Sequence, residues 1–159
     1  MTIGVIEKPE SRFSACLAQI LKKCDNCAET IVKTGSRPDT LSRVSPELMV
    51  IYGEVSGARD LVFPDSVMLV PKRGMGRITA KGIYTYGMGE DDDVTYSSLG
   101  DMKRVISLQT EITALTGKTV EPQDIPFTQI GDMDADELLA ATAALTILGV
   151  PPEKLRSVM

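Results

Sequence analysis

The chain has 159 residues, 43% hydrophobic and 25% charged, with a formal net charge of −5. That length fits one domain spanning residues 1–159, able to bury roughly 70% of its unfolded surface. The acidic balance excludes nucleic acid and an anionic membrane as main partners, and the absence of histidine removes the usual general base, nucleophile activator and metal ligand.

Thr2–Ile6 reads as a short buried strand. Phe13–Cys24 reads as an amphipathic helix, with Phe13, Leu17, Ile20, Leu21 and Cys24 at helical spacing and Ser11 as its cap. In nucleotide-binding α/β domains the junction between such a strand and helix is a glycine-rich loop whose backbone N–H groups and lysine hold phosphates. Here it is Glu7-Lys8-Pro9-Glu10-Ser11-Arg12, with no glycine, a proline that lacks an N–H, and two carboxylates that would repel a phosphate.

Thr30–Val32 follows as a second strand, and residues 34–46, with Gly35, Pro38 and Pro46, read as loop or a short helical turn. Leu48–Tyr52 is a continuous apolar run, the pattern of a central parallel strand buried on both faces, and Ser66–Val70 repeats it before Pro71. Gly74, Gly76 and Gly82 break up the approach to a strand at Ile83–Tyr86. Arg104–Ala114 and Val120–Ile130 read as extended segments joined by a hairpin near Thr116-Gly117-Lys118.

Asp134 followed by Glu137 signals a capping box, and Leu138, Ala141, Leu145 and Leu148 form an apolar stripe behind it. Gly149 stops that helix and Pro151-Pro152 opens a final short one. No apolar run reaches membrane-spanning length and the N-terminus lacks a charged-then-apolar signal pattern, so a cytoplasmic location is the expectation.

Three segments together resemble the central domain of the Mur ligases, ATP-dependent enzymes that add amino acids to peptidoglycan precursors. Tyr84-Thr85-Tyr86-Gly87 with Glu90-Asp91-Asp92-Asp93-Val94 is similar to that family's strand, Tyr-Gly-aromatic turn and acidic run. Gly131-Asp132-Met133-Asp134 through Glu137 to Leu148-Gly149 is similar to its Gly-x-His-Asn helix. Gly53-Glu54-Val55-Ser56-Gly57 resembles its Glu-Val-Ser-Ser segment.

The resemblance implies a three-layer α/β domain with a mainly parallel sheet, of the kind seen in P-loop NTPases and the Mur central domain. The segments between residues 104 and 130 would add antiparallel strands. It also implies that the family's phosphate loop is replaced by Glu7, Lys8, Ser11 and Arg12. The family's histidine and first asparagine fall on Met133 and Asp134, and the asparagine that contacts adenine falls on Glu137. Only Glu54 matches a functional residue, the carboxylate that helps hold magnesium. The family's UDP-sugar and amino-acid domains have no counterpart here, and the span from Val70 to Ile83 leaves no room for its long helical insertion.

Other motifs have ordinary readings. Gly117-Lys118-Thr119 imitates the end of a phosphate loop, but a hairpin surrounds it. Cys24-Asp25-Asn26-Cys27, with Cys16 nearby, has the spacing of a redox or metal pair, yet buried thiols at a helix end are the simpler reading and suit a reducing compartment. Glu90–Asp93 reads as a solvated turn with some capacity for a hard cation. Lys72, Arg73 and Arg77 around Gly74 and Gly76 could hold an anion, and Gly87-Met88-Gly89 is a similarly weak phosphate signal.

The expectation is a stand-alone, non-catalytic Mur-ligase-like domain without a cofactor, linked to cell-wall precursor metabolism. It would act by binding a protein partner, itself or a small ligand through the apolar face of the first helix and Met75, Met88 and Met102. One alternative is a small ligase-type enzyme using ATP and Mg2+ through Glu54, the acidic run and Lys8 or Lys72. Another is a subunit that completes its site by self-association.

Overall fold

A computed structural model describes residues 1–54, 60–71, 76–128 and 131–159, apart from the Asn26 side chain. The chain is α/β: among the described residues eight strands form one mixed, mostly parallel sheet and two more a small antiparallel sheet. It divides into two compact units, Met1–Tyr84 and Thr85–Met159.

In the first unit, β1 (Thr2–Ile6) leads to α1 (Phe13–Lys23), a 3-10 turn at Asp25–Cys27, and β2 (Ile31–Gly35). A second 3-10 turn at Pro38–Leu41 precedes β3 (Leu48–Ile51), followed by β4 (Asp60–Pro71) and β5 (Arg77–Tyr86). The pairing order is β2-β1-β3-β4-β5, and β1, β2, β3 and β4 pair in parallel.

Both faces of the central strands are covered, as a parallel sheet requires. Ile6, Met49, Ile51, Met68 and Val70 join Leu41, Leu61 and Phe63 in one buried cluster. Residues of opposite parity, including Val5, Val50 and Leu69, are equally buried. Gly4 makes room for this packing, because a Cβ there would lie 2.8 Å from the Met49 methyl.

β4 begins six residues before the expected strand at Ser66, and β5 begins six before Ile83. Gly82 does not interrupt β5 but lies within it. Only the later part of β4 pairs with β3, in parallel from Leu48 with Val67 to Val50 with Leu69.

In the second unit the end of β5 pairs with β6 (Val94–Leu99) through Tyr86 and Val94. Next come β7 (Arg104–Leu108), β8 (Ile112–Thr113), β9 (Thr119–Val120) and β10 (Gln123–Phe127). β6–β7 and β7–β10 pair antiparallel. β6 has no counterpart among the sequence-based expectations: its serines and four exposed or half-exposed positions hide the period-two signal. The extended segments 104–114 and 120–130 are each interrupted, giving two strands apiece among the described residues; Ile130 lies outside them. The hairpin stands where it was expected. Gly117 has φ +80°, its N–H donates to Ala114 O at 2.8 Å, and β8 pairs with β9.

α2 (Ala135–Ile147) starts at the expected capping box. Glu137 N–H donates to Asp134 Oδ1 at 2.8 Å and Asp134 N–H donates to Glu137 Oε2 at 3.1 Å. It ends in a Schellman motif, with Gly149 at φ +89° and Val150 N–H donating to Leu145 O at 3.0 Å. The apolar stripe, however, is a full sleeve: every residue from Glu137 to Ile147 is buried. Thr142 and Thr146 fit this setting because their hydroxyls donate to the carbonyls four residues back, each at 2.8 Å. α3 (Pro152–Val158) closes the described chain, with Leu155 and Val158 buried.

Candidate functional site

β1 lies between β2 and β3, so the chain leaves the C-terminal end of β1 on one side and later returns to the other side through β3. Open parallel sheets bind ligands outside the strand ends at this reversal of direction. Ile6 pairs in register with Ile51, which brings two segments to the reversal: Glu7 onward after β1, and Tyr52-Gly53-Glu54 after β3.

Glu7 is only 4% exposed, and its carboxylate closes the N-terminal end of α1. It accepts the Ser14 N–H at 3.2 Å, the Ser11 hydroxyl at 2.5 Å, and the Ser14 hydroxyl. The opening turn of a helix leaves N–H groups without intrahelical partners and carries partial positive charge, so an anion is favoured there. In a phosphate-binding loop that anion belongs to the ligand; here it belongs to the chain.

Ser11 is therefore not the cap expected from the sequence. Arg12 occupies the cap position without a side-chain cap bond, while the Ser11 Oγ accepts the Phe13 N–H at 3.2 Å and passes its own proton toward Glu7. Lys8 and Arg12 are exposed, and Lys8 contributes its carbonyl to a turn with the Ser11 N–H at 2.9 Å.

Across the reversal, Tyr52 is held by an N–H bond to Ile6 O at 2.8 Å and stacks on Phe13, with ring centroids 4.2 Å apart and planes within 7°. Gly53 turns the chain at φ +70°, leaving Glu54 exposed. Val55, Ser56 and Gly57 of the same motif lie outside the described residues, as do Lys72, Arg73, Gly74 and Met75. Among the described residues no group of three His, Cys, Asp or Glu side chains is placed to hold a metal.

The remaining candidates lie in the second unit or at the end of α1. Glu137 is buried and engaged in the capping box of α2. Two residues without a sequence signal hold the start of this helix: the Tyr96 hydroxyl donates to O of Ala135, its first residue, at 2.7 Å, and the Arg104 guanidinium donates to Met133 O, just before it, at 3.4 Å. Burial pushes the Tyr96 hydroxyl up to about 12, opposed by the Arg104 charge and hydrogen bond and reinforced by Asp136 and Asp134. Both bonds join residues 29 or more positions apart, so no local pattern signals them.

The acidic run is the expected turn after a strand, solvated at Glu90 and Asp91 but closed by the side chains of Asp92 and Asp93. Asp92 is 3% exposed and accepts the Gly89 N–H at 2.9 Å, and a Cβ on Gly87 would lie 2.5 Å from its Oδ2. The Gly87-Met88-Gly89 triplet thus makes room for a carboxylate. Asp93 accepts the Thr85 N–H at 2.7 Å and the Thr110 hydroxyl at 2.8 Å. Glu90 and Asp91 remain exposed.

Cys24 and Cys27 are buried and Cys16 half-buried, and burial together with the neighbouring Cys24 raises the Cys27 thiol above its usual range. The apolar face of α1 is buried through Phe13, Leu17, Ile20 and Leu21, so it does not offer the contact surface expected of it; Met88 and Met102 are exposed. No helix among the described residues is long and apolar enough to cross a membrane. No protein-family model matches the chain, and no curated protein matches it.

Proposed function

We propose that this chain is a non-catalytic, Mur-ligase-like domain that acts by binding, with its former phosphate position filled by its own Glu7. The observation that supports this reading most is the buried Glu7 carboxylate on the Ser14 N–H and the Ser11 and Ser14 hydroxyls. A phosphate entering there would meet a fixed negative charge whose donors are already engaged. The Glu137 carboxylate, engaged with its own helix start, supports the same reading on the adenine side.

The proposal includes the three-layer arrangement of the family, a cytoplasmic location, no cofactor, and a role beside cell-wall precursor metabolism. The occupant is a protein partner, contacted through the exposed and adaptable Met88 and Met102.

Thermal-shift and calorimetric titration with ATP, ADP and UDP-sugars, with and without magnesium, tests it. The expected result is no stabilisation and no binding heat. Magnesium-dependent stabilisation by ATP that weakens in Glu54→Ala would overturn the proposal in favour of a small ligase-type enzyme.

A further inference from the structure

Cys24 ends α1, its N–H donating to Leu21 O at 3.1 Å, and the chain then turns at once through Asp25–Cys27. The Cys27 N–H donates to Cys24 O at 2.9 Å. A turn closed by this i to i+3 bond holds its end Cα atoms within about 7 Å. A disulfide spans about 4.4–6.8 Å between Cα atoms, so the backbone is already close to the required geometry. Both side chains are buried, at 6% and 3% exposure. Cys16 lies eight residues before Cys24 on α1, about 12 Å along the axis and outside that reach.

A metal does not account for the pair. Two thiolates supply half of a tetrahedral site, and among the described residues no third His, Cys, Asp or Glu is placed to extend it.

We infer that Cys24 and Cys27 form a reversible disulfide within this turn. The oxidant is a small-molecule disulfide such as oxidised glutathione. Cys24, the more exposed of the two, loses its proton and its thiolate attacks one sulfur of the oxidant, expelling one thiol and leaving a mixed disulfide on the protein. The Cys27 thiolate then attacks the Cys24 sulfur, closing the Cys24–Cys27 bond and expelling the second thiol. The protein gives up two protons and two electrons, and the oxidant becomes two thiols.

Burial raises the Cys27 thiol and so lowers its thiolate fraction near neutral pH, and the second step speeds as pH rises. The bond would fix the connection between α1 and β2, where the Thr30 N–H also donates to Cys27 O at 2.9 Å.

The test equilibrates the full chain in glutathione buffers of graded oxidised-to-reduced ratio, then traps it with iodoacetamide in denaturant and maps it by trypsin and mass spectrometry. Cleavage after Lys23 and Lys33 isolates both cysteines in one peptide, Cys24–Lys33. Oxidising buffers are expected to yield that peptide two hydrogens lighter and unalkylated, with Cys16 alkylated. Cys27→Ser is expected to stop at glutathionylated Cys24, and Cys16→Ser to behave as the parent. Refolding reduced, denatured chain in the same buffers allows the thiols to equilibrate before burial. A peptide alkylated at both cysteines after that refolding, or a disulfide involving Cys16, would overturn the inference.

Discussion

A carboxylate can be buried when donors surround it, and Glu7 meets that condition at the head of α1 with one backbone N–H and two hydroxyls. Glu7→Ala strands those donors, at an expected cost of about 1–3 kcal/mol, read as a lower urea midpoint with an unchanged slope. Glu7→Gln keeps one acceptor oxygen but loses the charge facing the helix end, so it should fall between the two. Tyr96 makes a second prediction, in alkali. Its hydroxyl is pushed up to about 12 in the folded chain against an ordinary value near 10, so the folded state keeps a proton that the unfolded state has lost between those values. Its contribution to stability is complete below about pH 10 and is lost as pH rises toward 12. Urea midpoints across pH 9–12 should fall more steeply in the parent than in Tyr96→Phe. The sequence could not disclose either role. Glu7 reads as a repulsive charge until the turn folds back on Ser11 and Ser14, and Tyr96 has meaning only beside a helix start 39 residues away.

Among the elements, α2 was the most legible because its signals are local. Asp134 and Glu137 stand three apart, and Gly149 supplies the left-handed turn that stops the helix. What could not be read was its environment, since Ala140, Ala143, Ala144, Thr142 and Thr146 are small or weakly polar and tolerate either solvent or core. The two kinds of contribution separate experimentally. Leu145 is fully buried, so Leu145→Ala should cost roughly 2–5 kcal/mol, whereas Asp134→Ala removes one end of the capping box and should cost about 1 kcal/mol. Equal losses in denaturant unfolding would contradict this ranking of packing over cap. Long-range pairing explains the strand errors. β4 and β5 extend beyond their apolar cores because strand length is set by a neighbour, which no local pattern reports.

At the scale of the whole molecule, protection from solvent is concentrated in a few segments. β3 and the stretch Glu137–Ile147 are buried at every position, while β2, an edge strand, has none of its five residues buried. Amide hydrogen exchange should therefore be slowest in β1, β3 and the middle of α2, and fastest among strands in β2. Uniform protection across those strands would contradict the ranking. The enclosed helix has a further consequence during synthesis. β6 and β8, which contact α2, leave the ribosome before it does. At about 5–20 residues per second, the interval from Val94 to Ile147 lasts on the order of 3–10 s. For that time the nascent chain presents strands whose helical cover does not yet exist. A transcript that stops before Ala135 should thus yield a sticky product that chaperones retain, not a smaller working protein.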